Sequence, residues 1–349
     1  MEPSYEWVTG VLKIIRNAFI KRRKPTKIWF GITRNCNSRC VHCNIWQEKH
    51  RSDELNSAEI FRIFSDPLFS DVDMVIVSGG EPTTRNDLAD CLISIHNALP
   101  KALIQLSTNG LRPEYTLSVV KELLDTGAKI NIGVSIDGLG EDHDAVRGHG
   151  SWKRLTELID GLIELRDIYP NLSVTGGTVL SPHTTKNINK ITMFYHLMGI
   201  DYLIQWMNQS LFYNNLELDV DRSEERKIVE SLDELRFGML KEKWLDWLDG
   251  KPIKFKCYAL RDFLVIQSNG DVVPCLTYWT WCIGNLRYDP PLKVWESWLR
   301  EKALITVKNC PGCLNSWGTY WSWESDEWPY IRYYLRHPVQ LLRKWLMPW

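Results

Sequence analysis

From Lys27 to about Met207, short strand-like apolar runs alternate with amphipathic helical patterns, and no other feature narrows the fold as far. The strand candidates are Ile28–Thr33, Asp73–Val77, Leu103–Ser107, Ile130–Ile136, Ser173–Val179 and Tyr202–Trp206. Between them lie helical stretches such as Ser57–Phe64, Asp87–Ala98, Glu114–Asp125, Trp152–Asp167 and Asn187–Met198. Such alternation predicts parallel βαβ units. Six repeats in about 180 residues suit an α/β fold of the partial (β/α)6 TIM-like barrel type, with its site at the C-terminal ends of the strands.

Polar turns fall at those ends. After the first strand come Cys36, Cys40 and Cys43 at C-x3-C-x2-C spacing. Three sulfurs on one tight loop can converge on an inorganic centre. A 4Fe–4S cube would keep one iron free of protein ligands; zinc, which wants a fourth ligand, is the competing occupant. After the second strand comes Gly79-Gly80-Glu81-Pro82, whose glycines permit a close backbone approach and whose carboxylate can meet a cation. Ser107-Thr108-Asn109-Gly110 follows the third strand, and Ser135-Ile136-Asp137-Gly138 ends the fourth, ahead of His143-Asp144 and Arg147-Gly148. Each is ordinary as a βα turn, but four in succession beside a cysteine loop are not. Asp137, His143 and Arg147 are expected to face the mouth, and no catalytic acid or base is assigned.

Composition excludes little but excludes it firmly. With 349 residues the prior is about two domains. A net charge of −1 gives no global attraction to nucleic acid. Nine cysteines cannot all pair internally, and their spacing reads as metal ligation in a reducing, cytoplasmic setting. No apolar run approaches the ~20 residues of a membrane-spanning helix. Cys91, in a helical apolar pattern, reads as core.

The cysteine loop, Gly79-Gly80-Glu81-Pro82, Ser107-Thr108-Asn109-Gly110 and Val134-Ser135-Ile136-Asp137-Gly138 resemble, in order and spacing, the radical S-adenosylmethionine (SAM) enzymes. The resemblance covers roughly residues 27–210. It implies that Cys36, Cys40 and Cys43 ligate a 4Fe–4S cluster whose fourth iron takes the amino and carboxylate groups of SAM. Gly79, Gly80 and Glu81 would receive the SAM ammonium, and Ser107, Asn109 and Ser135 would lie near its ribose and carboxylate. His42 sits where the family commonly carries an aromatic residue or histidine. The family's chemistry is reductive cleavage of SAM to a 5′-deoxyadenosyl radical that abstracts hydrogen from an unactivated carbon, so a low-potential donor such as a flavodoxin or ferredoxin is an expected partner.

A second cysteine system begins at Cys257. Phe263–Gln267 and Val272–Val273 around Asn269-Gly270 read as a β-hairpin; Cys275, Cys282, Ile283-Gly284-Asn285, a short helix Leu292–Arg300 and Cys310-Pro311-Gly312-Cys313 follow. The pattern is similar to the SPASM/twitch extension of radical SAM enzymes, a small C-terminal α+β iron–sulfur domain. Because no cysteine follows Cys313, it implies one auxiliary 4Fe–4S cluster, held by Cys257, Cys275, Cys310 and Cys313, as in the shorter twitch form of aminocyclitol dehydrogenases. A closed cluster of this kind suits electron transfer. Cys282 reads as a bystander, and structural zinc is the alternative occupant.

The domain reading is therefore a basic amphipathic helix (1–26), the barrel (27–210), a helical bridge (211–250) with a charged helix Ser223–Leu248, the auxiliary-cluster domain (251–316) and an aromatic–basic tail (317–349). Basic and aromatic residues at both ends suit either packing onto the barrel or peripheral attachment to the inner membrane surface. The expected function is radical oxidation or cross-linking of a peptide, small molecule or lipid. A non-enzymatic zinc or iron–sulfur scaffold and a radical enzyme acting on RNA are the alternatives.

Overall fold

The computed structural model of the chain describes residues 24–48, 53–218, 224–232, 234–251, 256–310, 312, 322, 332–333 and 335–338. The N-terminal helix and most of the C-terminal tail expected from the sequence lie outside the described residues, as does Cys313.

Six parallel strands carry the barrel: β1 (Lys27–Thr33), β2 (Met74–Gly79), β3 (Leu103–Thr108), β4 (Lys129–Ser135), β5 (Leu172–Leu180) and β6 (Asp201–Trp206). Each pairs with its sequence neighbour in parallel register, and the sheet ends at β6 instead of closing on β1. A partial barrel results. Side chains alternate across such strands. One set, including Phe30, Val75, Val77, Ile104, Leu106, Ile130 and Ile132, is buried in the main core that also takes in the returning helices. Each such side chain stabilises the fold by about 1.5–3 kcal/mol when fully buried. The other set, including Trp29, Ile76, Gln105, Ser107 and Ser135, lines the barrel interior.

Local signals explain where the return helices begin. Helix Ser57–Phe64 opens on a capping box, with the Asn56 side chain accepting from Glu59 N and the Glu59 side chain accepting from Asn56 N. Its Ile60, Ile63 and Phe64, at helical spacing, are buried.

Past the barrel the structure adds what periodicity could not show. The expected hairpin forms from β7 (Phe263–Ile266) and β8 (Asp271–Val273), with β9 (Gly284–Asn285) beside it. β7 pairs in parallel with β1, from Lys27 with Phe263 to Phe30 with Ile266. One sheet of nine strands therefore runs β6-β5-β4-β3-β2-β1-β7-β8-β9. The edge that an open barrel leaves on β1 is covered by the second cysteine region. Arg287 ties the same region to the first helix: its Nε donates to Glu59 Oε1 at 2.7 Å, and Nη1 and Nη2 donate to the carbonyls of Asp53 and Glu54.

Two helices differ from expectation. The bridge is two helices, Glu225–Ser231 and Glu234–Leu248, because Leu232 takes an extended backbone and is buried. The helix expected over Leu292–Arg300 is split into Pro291–Trp295 and Trp298–Lys308, since the Ser297 hydroxyl caps a new start by accepting from Arg300 N at 3.2 Å.

Gly176 on β5 marks a tight strand–helix contact. A Cβ there would lie 1.8 Å from Cε1 of Tyr195, which is fully buried and bonded through its hydroxyl to Thr178 Oγ1 at 2.8 Å. Gly176→Ala is therefore expected to cost about 1–3 kcal/mol through overpacking, read as a lowered urea midpoint; an unchanged midpoint would contradict this packing.

Candidate active site

The cysteine loop is built by the strand that precedes it and gripped from four sides. At the end of β1, Gly80 N donates to Thr33 O at 2.8 Å and Glu81 N to Asn35 O at 2.7 Å. The chain passes so close that a Cβ on Gly79 would lie 2.1 Å from Thr33 O, and one on Gly80 2.3 Å from Asn35 O. The close approach served by this glycine pair is thus made by the chain's own first strand. From the end of β3, Asn109 Nδ2 donates to Asn37 Oδ1 at 2.8 Å. From helix Glu141–Arg147, the Val146 carbonyl accepts from Val41 N and the Arg147 carbonyl from Ser38 Oγ. From the segment after β6, the Tyr213 carbonyl accepts from Asn44 N, and Asn215 Nδ2 donates to His42 O.

Glu81 is 2% exposed and knots two strand ends together. Its Oε1 accepts from Thr83 N, Thr83 Oγ1 and Thr108 Oγ1, and its Oε2 accepts from Asn109 N at 2.7 Å. Burial nevertheless pushes its acid strength down, raising the pKa above the usual carboxylate value. A carboxylate offers about four acceptor sites, two on each oxygen; Oε2, with one donor, keeps room for another.

Cys36, Cys40, Cys43, Gly79, Gly80, Glu81, Ser107, Asn109 and Ser135 all line one cavity of about 670 Å³ at the C-terminal mouth of the barrel. Every first-cluster and SAM-site residue expected from sequence is thus brought to one place, with His42 and Arg147 among them. Asn109 also braces the loop, since its amide oxygen accepts from Leu111 N while its nitrogen holds Asn37. Asp137 and His143 do not face the mouth: both are fully buried, and only Arg147 of the three expected mouth residues lines the cavity. Asp137 is spent on Arg147, whose Nε and Nη2 both stand 2.7 Å from Oδ2, and on Val179 N. Burial opposes its charge, yet Arg147 and His42 hold the carboxyl below the usual range. Burial keeps His42 and His143 neutral down to about pH 4.

The donor set fits an anionic metal cluster. Burial pushes the Cys36 thiol up to about 12 and that of Cys43 up to about 11, so neither ionises near neutrality unless a metal replaces its proton. Arg34, at the end of β1 and 2% exposed, lies within electrostatic reach of Cys43, and its Nη1 is buried without a hydrogen-bond partner. Its other nitrogens hold Glu48 and the Phe212 carbonyl. Among the described residues, no three Cys, His, Asp or Glu side chains close on a single-ion site.

In the second region, burial raises Cys257 to about 11, with Cys275 and Cys310 near enough to add to the shift; Cys275 is likewise raised, with Cys310 near it. Cys282 stands apart, its sulfur directed to Asp271 Oδ1 and Gly284 O. One apolar cluster, which includes Trp29, Phe212 and Trp279, packs against Cys36, Cys43 and Cys257 alike. The ring centroids of Phe212 lie 5.2 Å from Trp29 and 4.8 Å from Trp279.

Sequence reasoning missed Ser38, Asn37, Arg34, Tyr213 and Asn215 as parts of the site. The first two lie inside the cysteine motif and could have been flagged by their turn-forming side chains; Tyr213 and Asn215 reach the loop from about 170 residues away and carried no local signal.

Residues 30–194 match the radical SAM superfamily, and residues 257–314 match the SPASM iron–sulfur cluster-binding domain. The chain carries a radical SAM domain and a SPASM-type region. Its cofactors are SAM, the 4Fe–4S cluster that binds it and auxiliary iron–sulfur ligation in the second region. Among curated relatives, Fe-coproporphyrin III synthase of Methanosarcina barkeri is 34% identical over 131 residues, 37% of this chain and 31% of that protein. Pre-heme d1 synthase of Dinoroseobacter shibae is 37% identical over 129 residues, 36% of this chain and 30% of that protein. The chain thus spans about a third of the length of these relatives. SuiB of Streptococcus suis, bound to the precursor peptide SuiA, superposes with a TM-score of 0.63 at 17% identity, over 87% of this chain and 72% of that one, which shows a shared fold.

Gly80→Ala should displace the cysteine loop, because the obstacle to its Cβ is the Asn35 backbone. The reconstituted variant is expected to lose about half its iron, that of the first cluster, while keeping the auxiliary share; full iron retention would show that the glycine is dispensable.

Proposed function

We propose that this chain is a radical SAM oxidase or cross-linking maturase, acting on a peptide or a small neutral molecule. The observation that carries the reading is the single cavity shared by the three cysteines, the Gly-Gly-Glu turn and the polar strand ends. Cys36, Cys40 and Cys43 would hold the 4Fe–4S cluster. Gly79, Gly80 and the free acceptor site on Glu81 Oε2 would receive the SAM ammonium, with Ser107, Asn109 and Ser135 along the rest of the molecule. The cluster and SAM together supply a 5′-deoxyadenosyl radical, able to take hydrogen from an unactivated carbon.

The chain's own residues do the rest. Trp29, Ile76, Trp206, Phe212 and Phe237 make an apolar wall that limits water near the reacting carbon. Gln105, Gln205 and Asn208 supply neutral donors and acceptors, and the Asn208 side-chain nitrogen is buried without a partner. That lining suits amides and hydroxyls. Among the described lining residues Arg147 is the sole arginine or lysine and is already paired, which weighs against a substrate carrying several carboxylates. Cys257, Cys275, Cys310 and Cys313 would hold one auxiliary cluster, as a destination for the electron left on an oxidised substrate. A flavodoxin or ferredoxin would supply the low-potential electron. The likeness to a peptide-bound fold neighbour supports the peptide reading; the two synthases make a tetrapyrrole the second reading.

The lipid reading rests on the two basic, aromatic ends, most of which lie outside the described residues; no helix among the described residues is long and apolar enough to cross a membrane.

Anaerobically reconstituted protein is expected to carry about eight irons, four per cluster, and to release 5′-deoxyadenosine under strong reductant. Cys40→Ala should abolish that release, whereas Cys275→Ala should retain it and lose about four irons. Zinc in place of iron, or no SAM cleavage by the loaded wild-type chain, would overturn the reading. Deuterium carried into 5′-deoxyadenosine from labelled cellular peptides, and not from coproporphyrin, would separate the two substrate classes.

A further inference from the structure

Arg147 is a permanently charged side chain at the cavity, outside the set of residues assigned to SAM. It is 8% exposed and closes the short helix Glu141–Arg147. The last carbonyls of a helix have no intrahelical partner. Here those of Val146 and Arg147 are taken by Val41 N at 3.0 Å and Ser38 Oγ at 3.2 Å, so the helix end grips the cysteine loop on both sides of Cys40.

The side chain completes the grip. A guanidinium is planar, so fixing two of its nitrogens fixes the third. Nε and Nη2 are fixed on Asp137 Oδ2, each at 2.7 Å, and Asp137 cannot swing because Val179 N holds its other oxygen at 2.8 Å. Nη1 is left 3.9 Å from Cys40 Sγ. The Ser38 hydroxyl is 3.1 Å from the same sulfur, but its single proton is shared with the Arg147 carbonyl. The guanidinium is therefore the unshared donor at Cys40.

We propose that Arg147, locked by Asp137, is a positioning residue that holds Cys40 for cluster binding and favours the reduced, more negative state of that cluster. The inference rests on the reading that Cys36, Cys40 and Cys43 are the ligands. Reduction adds negative charge that spreads onto the cysteine sulfurs, and hydrogen bonds to those sulfurs raise the potential. In a buried site a charge this close acts strongly. Asp137 opposes the effect from behind, farther from the sulfur, so the two members of the pair should push the potential in opposite directions.

The test is a redox titration of the reconstituted full chain, followed by the EPR signal that changes on adding SAM. Arg147→Gln is expected to make reduction about tenfold less favourable, a fall of about 59 mV for one electron. Arg147→Lys, which keeps the charge but loses the fork that joins Asp137 to Cys40, should lower the potential by less than Arg147→Gln does, and Asp137→Asn should shift it upward. If Arg147→Gln and Asp137→Asn move the potential in the same direction, or neither moves it, the inference falls while the cofactor reading stands. Because Arg147→Gln strands a buried carboxylate, the paired variant Asp137→Asn/Arg147→Gln replaces it where no cluster loads. A lowered potential there supports the proposal, as does an iron-free chain that melts like wild type yet loads no first cluster; an unchanged potential overturns it. A wild-type chain that binds no cluster would overturn both readings.

Discussion

The site depends on the crossing of the β1 end over the Gly79-Gly80 turn. Thr33 and Asn35 carbonyls lie where any Cβ would stand, and they are held by the amides of Gly80 and Glu81. This contact converts a strand into the start of the cysteine loop at a defined height above the barrel. Glu81 then carries the constraint outward, because its buried carboxylate joins the end of β2 to those of β3 through Thr108 and Asn109. Asn109 returns it to the loop through Asn37. Sheet register and loop position are therefore one mechanical unit.

A second consequence follows from the open barrel. Since β6 does not close on β1, the β1 edge is free to take β7, and the hairpin of the second cysteine region becomes part of the same sheet. Cysteines of both regions, Cys36, Cys43 and Cys257, then pack against one apolar cluster that includes Trp29, Phe212 and Trp279. Two of these aromatic residues, Trp29 and Phe212, also line the cavity. Arg34 sits over both Phe212 and Trp279, with its charge met by Glu48. Cys282, displaced onto Asp271 and Gly284, lies outside this arrangement.

The strands and their C-terminal turns were legible because both are local signals. Period-two apolar runs and glycine-bearing turns depend on neighbours a few residues away, so β1 to β6 and the hairpin lie close to where the pattern puts them. The bridge and the helix after β9 broke where a single residue, Leu232 or Ser297, favoured a non-helical backbone, a choice that burial and capping make and periodicity averages away. Asp137 and His143 were expected at the mouth because they follow a strand end. Both are buried: Asp137 is held by Arg147 and Val179 N, and it is Arg147 of helix Glu141–Arg147, not His143, that lines the cavity.

By itself the sequence determined the chemistry available: three cysteines on one turn, a Gly-Gly-Glu turn at the next strand end, and a second cysteine set around a hairpin. Spacing along a chain is enough for that, because the first two motifs close within about ten residues and the third lies within the one stretch from Cys257 to Cys313. Only the tertiary structure decided what those motifs mean for one another. It showed that the glycines make room for the first strand, that Arg147 reaches Cys40 from 107 positions away, and that β7 seats the second cysteine set on the open edge of the barrel. Such contacts arise from packing between distant segments, which no local pattern encodes.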